Sequence, residues 1–105
     1  MTDFVNGPKV LFVTTPVRPI PTTYPPIAVL SIMQALKKNG YDNHDFFNID
    51  FYRPSIKEAV EYVVTSKPAI LAISAVVSTA YAYVKELSLE VKAVNPDIVI
   101  IVGGP

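Results

Sequence analysis

Small hydroxyl residues and glycines follow the apolar runs of this sequence, at positions where they could contact a ligand. Ser74 ends the run that begins at Ala69, and the run 97–102 leads directly into Gly103-Gly104. Continuous branched aliphatic runs are typical of buried parallel strands, whose carboxyl ends form the ligand-binding edge of an α/β sheet. Hydroxyls, backbone amides and small side chains suit a large, polar, mostly uncharged ligand, and they supply no general acid or base. The sequence therefore predicts a binding surface without catalytic groups.

Three segments are expected to converge at this edge: a proline-rich loop after the first strand, the residues after the third strand, and the glycine pair after the fourth. The candidate cofactor-binding residues in these segments are Thr14, Thr15, Pro16, Tyr24, Ser74, Ala75, Val76, Ser78, Thr79, Gly103 and Gly104. Each has a simpler explanation when taken alone. The glycines could form only a turn, and Ser74 could only satisfy a strand end.

The amino-acid composition excludes several classes of function. The 105 residues are 50% hydrophobic and 17% charged, which predicts a single folded domain. The net charge is zero, so the composition gives no sign of a basic surface that would bind nucleic acid or an anionic membrane. No apolar run approaches the length of a membrane span or a signal peptide, so the expected location is the cytoplasm. The chain has no cysteine, which excludes disulfides, thiolate metal sites and cysteine-ligated iron–sulfur clusters from it.

The hydrophobic pattern alternates between strand and helix periods. A helix of about fourteen residues is predicted from Pro26, and Ser55 with Glu58 forms a capping box for the next helix. The predicted strands are Lys9–Thr15, His44–Asp50, Ala69–Ser74 and Asp97–Val102, and the later helices run from Ser55 to Ser66 and from Thr79 to Val94. The side chains expected to face inward are Ile27, Val29, Leu30, Ile32, Met33, Leu36, Ile56, Ala59, Val60, Val63, Val84, Leu87, Val91 and Val94.

This β-α-β-α-β-α-β order predicts an α/β fold with a parallel sheet and right-handed crossovers. A dinucleotide-binding fold would place Gly-x-Gly-x-x-Gly after the first strand, but residues 16–26 contain no glycine. We therefore expect a flavodoxin-like (Rossmann-like), doubly wound sheet with strand order 2-1-3-4 and the fifth strand missing. The chain is then a single domain over residues 1–105, an amino-terminal segment of a larger multidomain enzyme. Its exposed fourth strand is expected to favour self-association.

Three further residues are predicted to have structural roles. Asp50 is placed at the end of the second strand, where a dinucleotide fold would hold ribose, but the glycine fingerprint for that role is absent. His44, the only histidine, is placed on the surface at the opposite end of the sheet from the predicted site. Tyr83 is expected to lie on a helix instead of forming a stacking platform.

The order of these motifs resembles a known family. Ser74-x-Val76, separated by residues 77–102 from Gly103-Gly104, resembles the Ser-x-Leu and Gly-Gly parts of the cobalamin-binding signature, with Val76 where leucine is usual. The likeness also includes the first strand, Pro25-Pro26 and the segments 38–41 and 91–96. Over its whole length, the chain resembles the amino-terminal cobalamin (vitamin B12)-binding domain of radical S-adenosylmethionine enzymes. In that family a small hydroxyl residue and paired glycines leave room for the nucleotide tail of the cofactor.

The resemblance implies a non-catalytic cobalamin-binding module whose partner is a downstream barrel that holds S-adenosylmethionine and a 4Fe-4S cluster. The parent enzyme would be a methyltransferase or a ring-forming enzyme. The loop after the first strand lacks the Asp-x-His-x-x-Gly motif of mutases, so no histidine of this chain is expected to ligate cobalt. Ala28 also stands where the family often has glycine.

Two alternatives remain open at this stage. The same fold could serve only as an interaction or gating domain that packs against a catalytic domain without binding cobalamin. A phosphate- or flavin-binding flavodoxin-like domain is less well supported, because Pro25 and Pro26 remove two backbone donors at the helix start where such a ligand binds.

Overall fold

The computed structural model of the chain describes residues 7–16, 26–75 and 80–103. The four strands are β1 (Val10–Val13), β2 (His44–Phe47), β3 (Ile70–Ser74) and β4 (Val99–Gly103). The four helices are α1 (Ile27–Lys38), α2 (Ile49–Tyr52), α3 (Ile56–Ser66) and α4 (Tyr81–Val94). All strand pairs are parallel, and the order in the sheet is β2-β1-β3-β4. The predicted flavodoxin-like α/β fold and strand order are confirmed.

The main core lies on the sheet face that α3 and α4 cover. Alternate residues of β1 and β3 point to this face, so Leu11, Val13, Leu71 and Ile73 are buried there. The helices contribute Ala59, Val60, Val63, Val84, Leu87 and Val91, as the helical spacing predicts. Val94, the last residue of α4, does not join them and is mostly exposed, although Val91 one turn earlier is buried.

The start of α3 has the capping box that Ser55 and Glu58 predict. The Ser55 hydroxyl accepts a hydrogen bond from the Glu58 backbone N–H, and the Glu58 carboxylate accepts one from the Ser55 backbone N–H. These bonds hold the pKa of the Glu58 carboxyl below its usual value, because they favour the charged form. The carboxylate therefore supports this helix start at neutral pH, and its support is lost in acid as Glu58 becomes protonated.

The opposite face of the sheet is covered only in part by the described residues. Right-handed crossovers place α1 on this face, where Val29 of α1 and Phe12 of β1 are buried. The predicted inward stripe of α1 is only partly right: Met33 and Leu36 are half-buried, but Ile27, Leu30 and Ile32 are exposed. The reason is that α1 has no second described helix beside it on this face. Val99 and Ile101 of β4 are exposed on the same face, at 54% and 52%.

Two sequence predictions about the second strand are wrong. β2 ends at Phe47, and the chain then enters the short helix α2, so Asp50 lies in a helix and not at a strand end. Asn48 makes this possible, because its side chain caps the first turn by accepting from the Phe51 N–H. His44 is half-buried, with its ring edge-on to Phe12 at a centroid distance of 6.3 Å. Both His44 ring nitrogens are buried without a partner among the described residues, so this histidine is not a surface residue.

Candidate functional site

The ends of β3 and β4 meet at the carboxyl edge of the sheet, as the sequence predicts. Ser74 is paired directly with Gly103, and Ala72 is paired with Ile101. The Ala75 backbone N–H donates to the Gly103 carbonyl over 2.8 Å, which extends the ladder past the end of β3. The glycine and Ser74 are therefore neighbours on adjacent strands although residues 75–102 separate them in sequence.

Three small residues form a strip at this edge, on the sheet face of α1. Side chains alternate along a strand, so Ala72 and Ser74 share a face, and the register sets Gly103 beside Ser74. We call Ala72, Ser74 and Gly103 the small-residue strip. Ala72 and Ser74 are half-buried and Gly103 is exposed. Within the described part of the chain, the Ser74 hydroxyl makes no hydrogen bond to another residue, so none of these residues competes with a ligand for it.

Packing among the described residues does not explain the absence of a side chain at Gly103. A Cβ atom placed there would meet no described atom within 4 Å. Gly103 also has no positive φ, whereas Gly40, at φ +88°, adopts a conformation that favours glycine. As far as the described residues go, the space beside Ser74 is thus open on the sheet face of α1, and a glycine keeps it open.

The hydroxyls of Thr14 and Thr15 are used within the protein. The Thr14 hydroxyl donates to the Asn48 side-chain oxygen over 2.7 Å and accepts from the Asp50 N–H over 3.0 Å. Thr15 is almost fully buried, and its hydroxyl donates to the Ser74 carbonyl over 3.0 Å. These two residues therefore link the carboxyl end of β1 to α2 and to the end of β3. Any contact they make with a ligand is additional to these links.

Replacing Thr14 with valine should test this link. Thr14→Val keeps the shape of the side chain but removes the hydroxyl that accepts from the buried Asp50 N–H and donates to Asn48, so we expect the free energy of unfolding to fall by about 2 kcal/mol. Urea denaturation would measure the change. Thr65→Val, an exposed threonine of α3, is the matched control and should change stability by less than about 0.5 kcal/mol. Equal effects in the two variants would contradict a structural role for the Thr14 hydroxyl.

The remaining predicted residues divide into two groups. Pro16 is half-buried after β1, and Ala75 packs its side chain against the main core, so only the Ala75 backbone lies at the strip. Tyr24, Val76, Ser78, Thr79 and Gly104 lie outside the described residues.

Charged groups near this edge are engaged with each other. Asp50 is buried, and its carboxylate accepts from the Arg53 guanidinium over 2.7 Å. The Arg53 Nε also donates to the Asp50 carbonyl over 2.7 Å. Neither this pair nor the Asn48 cap was predicted from the sequence, because both depend on the turn that the chain makes after β2.

Tyr83, on α4, packs against the main core with its phenol oxygen buried and without a hydrogen-bond partner in the described ranges. Burial and, to a smaller extent, the charge of Glu86 raise the pKa of Tyr83 to about 12, with Arg53 acting in the opposite direction. The phenol is therefore neutral at physiological pH and cannot act as a base there. Its packing role agrees with the sequence prediction.

Within residues 7–16, 26–75 and 80–103, no three His, Cys, Asp or Glu side chains are grouped closely enough to hold a metal ion. No helix in those ranges has the length and apolar character needed to cross a bilayer.

The fold and the strip define an α/β ligand-binding domain with its site at the carboxyl edge of a parallel sheet. Comparison with protein families makes this assignment specific, because a model of the B12 binding domain matches residues 13–105. The chain belongs to the B12-binding domain family. Searches of curated proteins and of solved structures return no significant match.

Proposed function

We propose that this chain is the cobalamin-holding module of a radical S-adenosylmethionine enzyme and that the small-residue strip receives the nucleotide tail of the cofactor. The observation that carries the proposal is the pairing of Ser74 with a glycine whose missing side chain faces open space. Membership of the B12-binding family supplies the ligand class. The radical-enzyme context rests on the resemblance in the order of the sequence motifs.

The side chains of the small-residue strip suit the nucleotide tail of cobalamin. The Ser74 hydroxyl can donate to or accept from a polar atom of the tail, and Ala72 and Gly103 let a flat ring approach the sheet. Val99 and Ile101 extend an exposed apolar surface beside it, which suits the ring of the nucleotide base. Residues 7–16 contain no histidine, so in this proposal the chain holds cobalamin by its tail and supplies no cobalt ligand from the end of β1.

The residues of the chain bind and orient in this proposal and do not react. When bound, cobalamin supplies a cobalt centre that can carry an alkyl group. The strip fixes the tail, and the links from Thr15 to Ser74 and from Ala75 to Gly103 keep the two strand ends in register. The catalytic steps and the substrate would belong to a downstream barrel domain of the same polypeptide.

A comparison of two ligands tests the role of the strip. Equilibrium dialysis should show that hydroxocobalamin binds with a dissociation constant of tens of micromolar or lower. Cobinamide, which lacks the nucleotide tail, should bind at least about tenfold more weakly, a loss of about 1.4 kcal/mol. Equal affinities would contradict tail binding at the strip.

The second candidate, an interaction or gating domain without cofactor, is favoured by one observation. The hydroxyls of Thr14 and Thr15 are already bonded within the protein, so few described side-chain donors remain at the edge. This candidate predicts that neither ligand is retained in dialysis. It also predicts that a bulky replacement of Ser74 leaves the cobalamin content of the complete enzyme unchanged.

A further inference from the structure

Four aromatic rings from β2, α2 and α3 pack on one another at the surface of the protein. The Phe47 and Tyr62 rings are stacked with their centroids 4.0 Å apart, and the Tyr52 ring is stacked on Phe47 at 6.3 Å. The Phe51 ring meets Tyr52 edge-on at 5.1 Å. We call Phe47, Phe51, Tyr52 and Tyr62 the aromatic cluster. It lies beside β2, whereas the small-residue strip lies on β3 and β4.

Most of the aromatic cluster is exposed. Phe47 packs against the main core, but Phe51, Tyr52 and Tyr62 are 52%, 68% and 40% exposed. An aromatic side chain has a surface of roughly 200 Å², so these three rings together present on the order of 300 Å² of aromatic surface. Contiguous exposed apolar surface of this extent is typical of sites that bind another molecule.

The shallow groove on the outer surface of α3 continues from this cluster and is acidic. Its lining consists of Glu58, Glu61, Tyr62, Thr65 and Ser66. In the described ranges neither glutamate forms an ion pair with a lysine or arginine, although Lys57 lies one helical turn before Glu61. At the other end of the groove, the Lys9 ammonium donates to the Ser66 carbonyl over 2.8 Å. The charge at Glu58 and Glu61 is therefore not neutralised by a described side chain.

A carboxylate beside an exposed tyrosine ring complements an arginine side chain. The planar guanidinium stacks its face on an aromatic ring while its N–H groups donate to a carboxylate, and Glu61 and Tyr62 both line the groove. The Tyr62 ring is already held by its stack on Phe47, so binding would order few additional rotamers. Asp45 is exposed on the same sheet face as Phe47 and adds negative charge there.

The shape of this surface favours a polypeptide over a small molecule. Small-molecule sites are concave and enclose most of the ligand, whereas this groove is shallow and the aromatic cluster extends beyond it. An arginine with apolar neighbours in a polypeptide could cover the groove and the cluster together. Tyrosine and arginine are also the residues that contribute most to the affinity of protein–protein interfaces.

We infer that this surface docks a second protein through an arginine whose guanidinium lies against Glu61 and Tyr62, while apolar neighbours of that arginine cover Phe51 and Tyr52. The docking surface lies on the sheet face of α3 and α4, whereas the small-residue strip lies on the face of α1. A partner bound here would leave the strip uncovered. The inference goes beyond the proposed cofactor role and does not require cobalamin, so the two can succeed or fail separately.

A blocked peptide, acetyl-Leu-Arg-Leu-amide, serves as the probe for this partner in the absence of cobalamin. Backbone amide shifts in NMR spectra should change saturably at Glu61, Tyr62 and Thr65, with a dissociation constant of about 1 mM. The same peptide with citrulline in place of arginine keeps the shape without the charge and should bind at least about fivefold more weakly. Equal affinity for the two peptides, or no saturation up to about 10 mM of the arginine peptide, would overturn the inference.

Variants of the chain locate the contact. Glu61→Gln removes the charge at constant size and should weaken binding of the arginine peptide about fivefold, whereas Glu90→Gln, at an exposed glutamate of α4, is the matched control and should bind as the wild type. Tyr62→Leu should cause a similar loss because it removes the ring, and Tyr62→Phe, which keeps the ring, should retain the affinity. Equal affinities of the two glutamine variants, or full binding by Tyr62→Leu, would contradict an arginine site between Glu61 and Tyr62.

Discussion

Gly103→Val should lower the affinity for hydroxocobalamin by at least about 30-fold without weakening the fold, a loss of about 2 kcal/mol of binding free energy. The new side chain would occupy the open space beside Ser74 where the cofactor tail is proposed to lie. The free energy of unfolding should stay the same or rise by up to about 1 kcal/mol, because valine is a better strand residue than glycine and no described atom opposes it. Equilibrium dialysis and urea denaturation of the same preparation would measure both effects.

Gly40→Val is the matched control, and it should show the reverse pattern. Gly40 has a positive φ in the turn after α1, so a β-branched side chain there is strained and should lower stability by about 1–3 kcal/mol. It lies at the other end of the sheet from the strip, so cobalamin affinity should be unchanged. If Gly103→Val unfolds the protein and leaves the affinity of the folded fraction intact, glycine is required there by the fold and not by a ligand.

The largest loss of stability is expected from Leu71→Ala. Leu71 is fully buried in β3, between β1 and β4, and contributes to the core under α3 and α4. Removing three carbons there leaves a cavity enclosed by two layers, so the free energy of unfolding should fall by about 3 kcal/mol. A domain of this size has a total stability of about 5–15 kcal/mol, so the midpoint of urea denaturation should fall markedly.

Leu89→Ala provides the comparison on the surface. Leu89 is mostly exposed on α4, and its truncation should change stability by less than about 0.5 kcal/mol. Similar losses in the two variants would mean that the core is not centred on β3. It would then be necessary to revise the position assigned to the carboxyl edge of this strand and to the strip.

The fold was predictable because several independent signals agreed along the chain. The apolar run at Ile70 has strand character, the spacing of Val84, Leu87 and Val91 has the helical period, and Ser55 with Glu58 gives a capping box. Alternation of such elements with short connections leaves few topologies other than a parallel sheet. The absence of glycine after β1 then separated the two common strand orders.

The sequence was less informative where tertiary contacts override local pattern. Asp50 follows a strand-like run, but the Asn48 cap and the Thr14 hydroxyl draw the chain into α2. His44 was expected on the surface because it begins the second strand at the end of the sheet away from the site, but its ring lies against Phe12. The exposed residues of α1 had the helical period, but periodicity does not reveal how much of a face the rest of the fold covers.

The site was predictable in outline only. The meeting of Ser74 with Gly103 follows from the topology, because carboxyl ends of neighbouring parallel strands share an edge. The Thr14 hydroxyl is hydrogen-bonded to Asn48, and the Thr15 hydroxyl to the Ser74 carbonyl. These bonds could not be predicted from the sequence, because they depend on distances between strand ends. The strip is therefore narrower than the hydroxyl-rich surface that the sequence suggests.

Mapping backbone amide shifts by NMR during a titration with hydroxocobalamin tests the central claim most directly, because it reports binding and its location together. The proposed function predicts saturable shifts at Ala72, Ser74 and Gly103, with a dissociation constant of tens of micromolar or lower. It predicts little change at Glu61 and Tyr62, which line a shallow groove on the outer surface of α3. No shift at about 100 micromolar cobalamin, or shifts centred on the α3 groove, would contradict a cobalamin site at the small-residue strip.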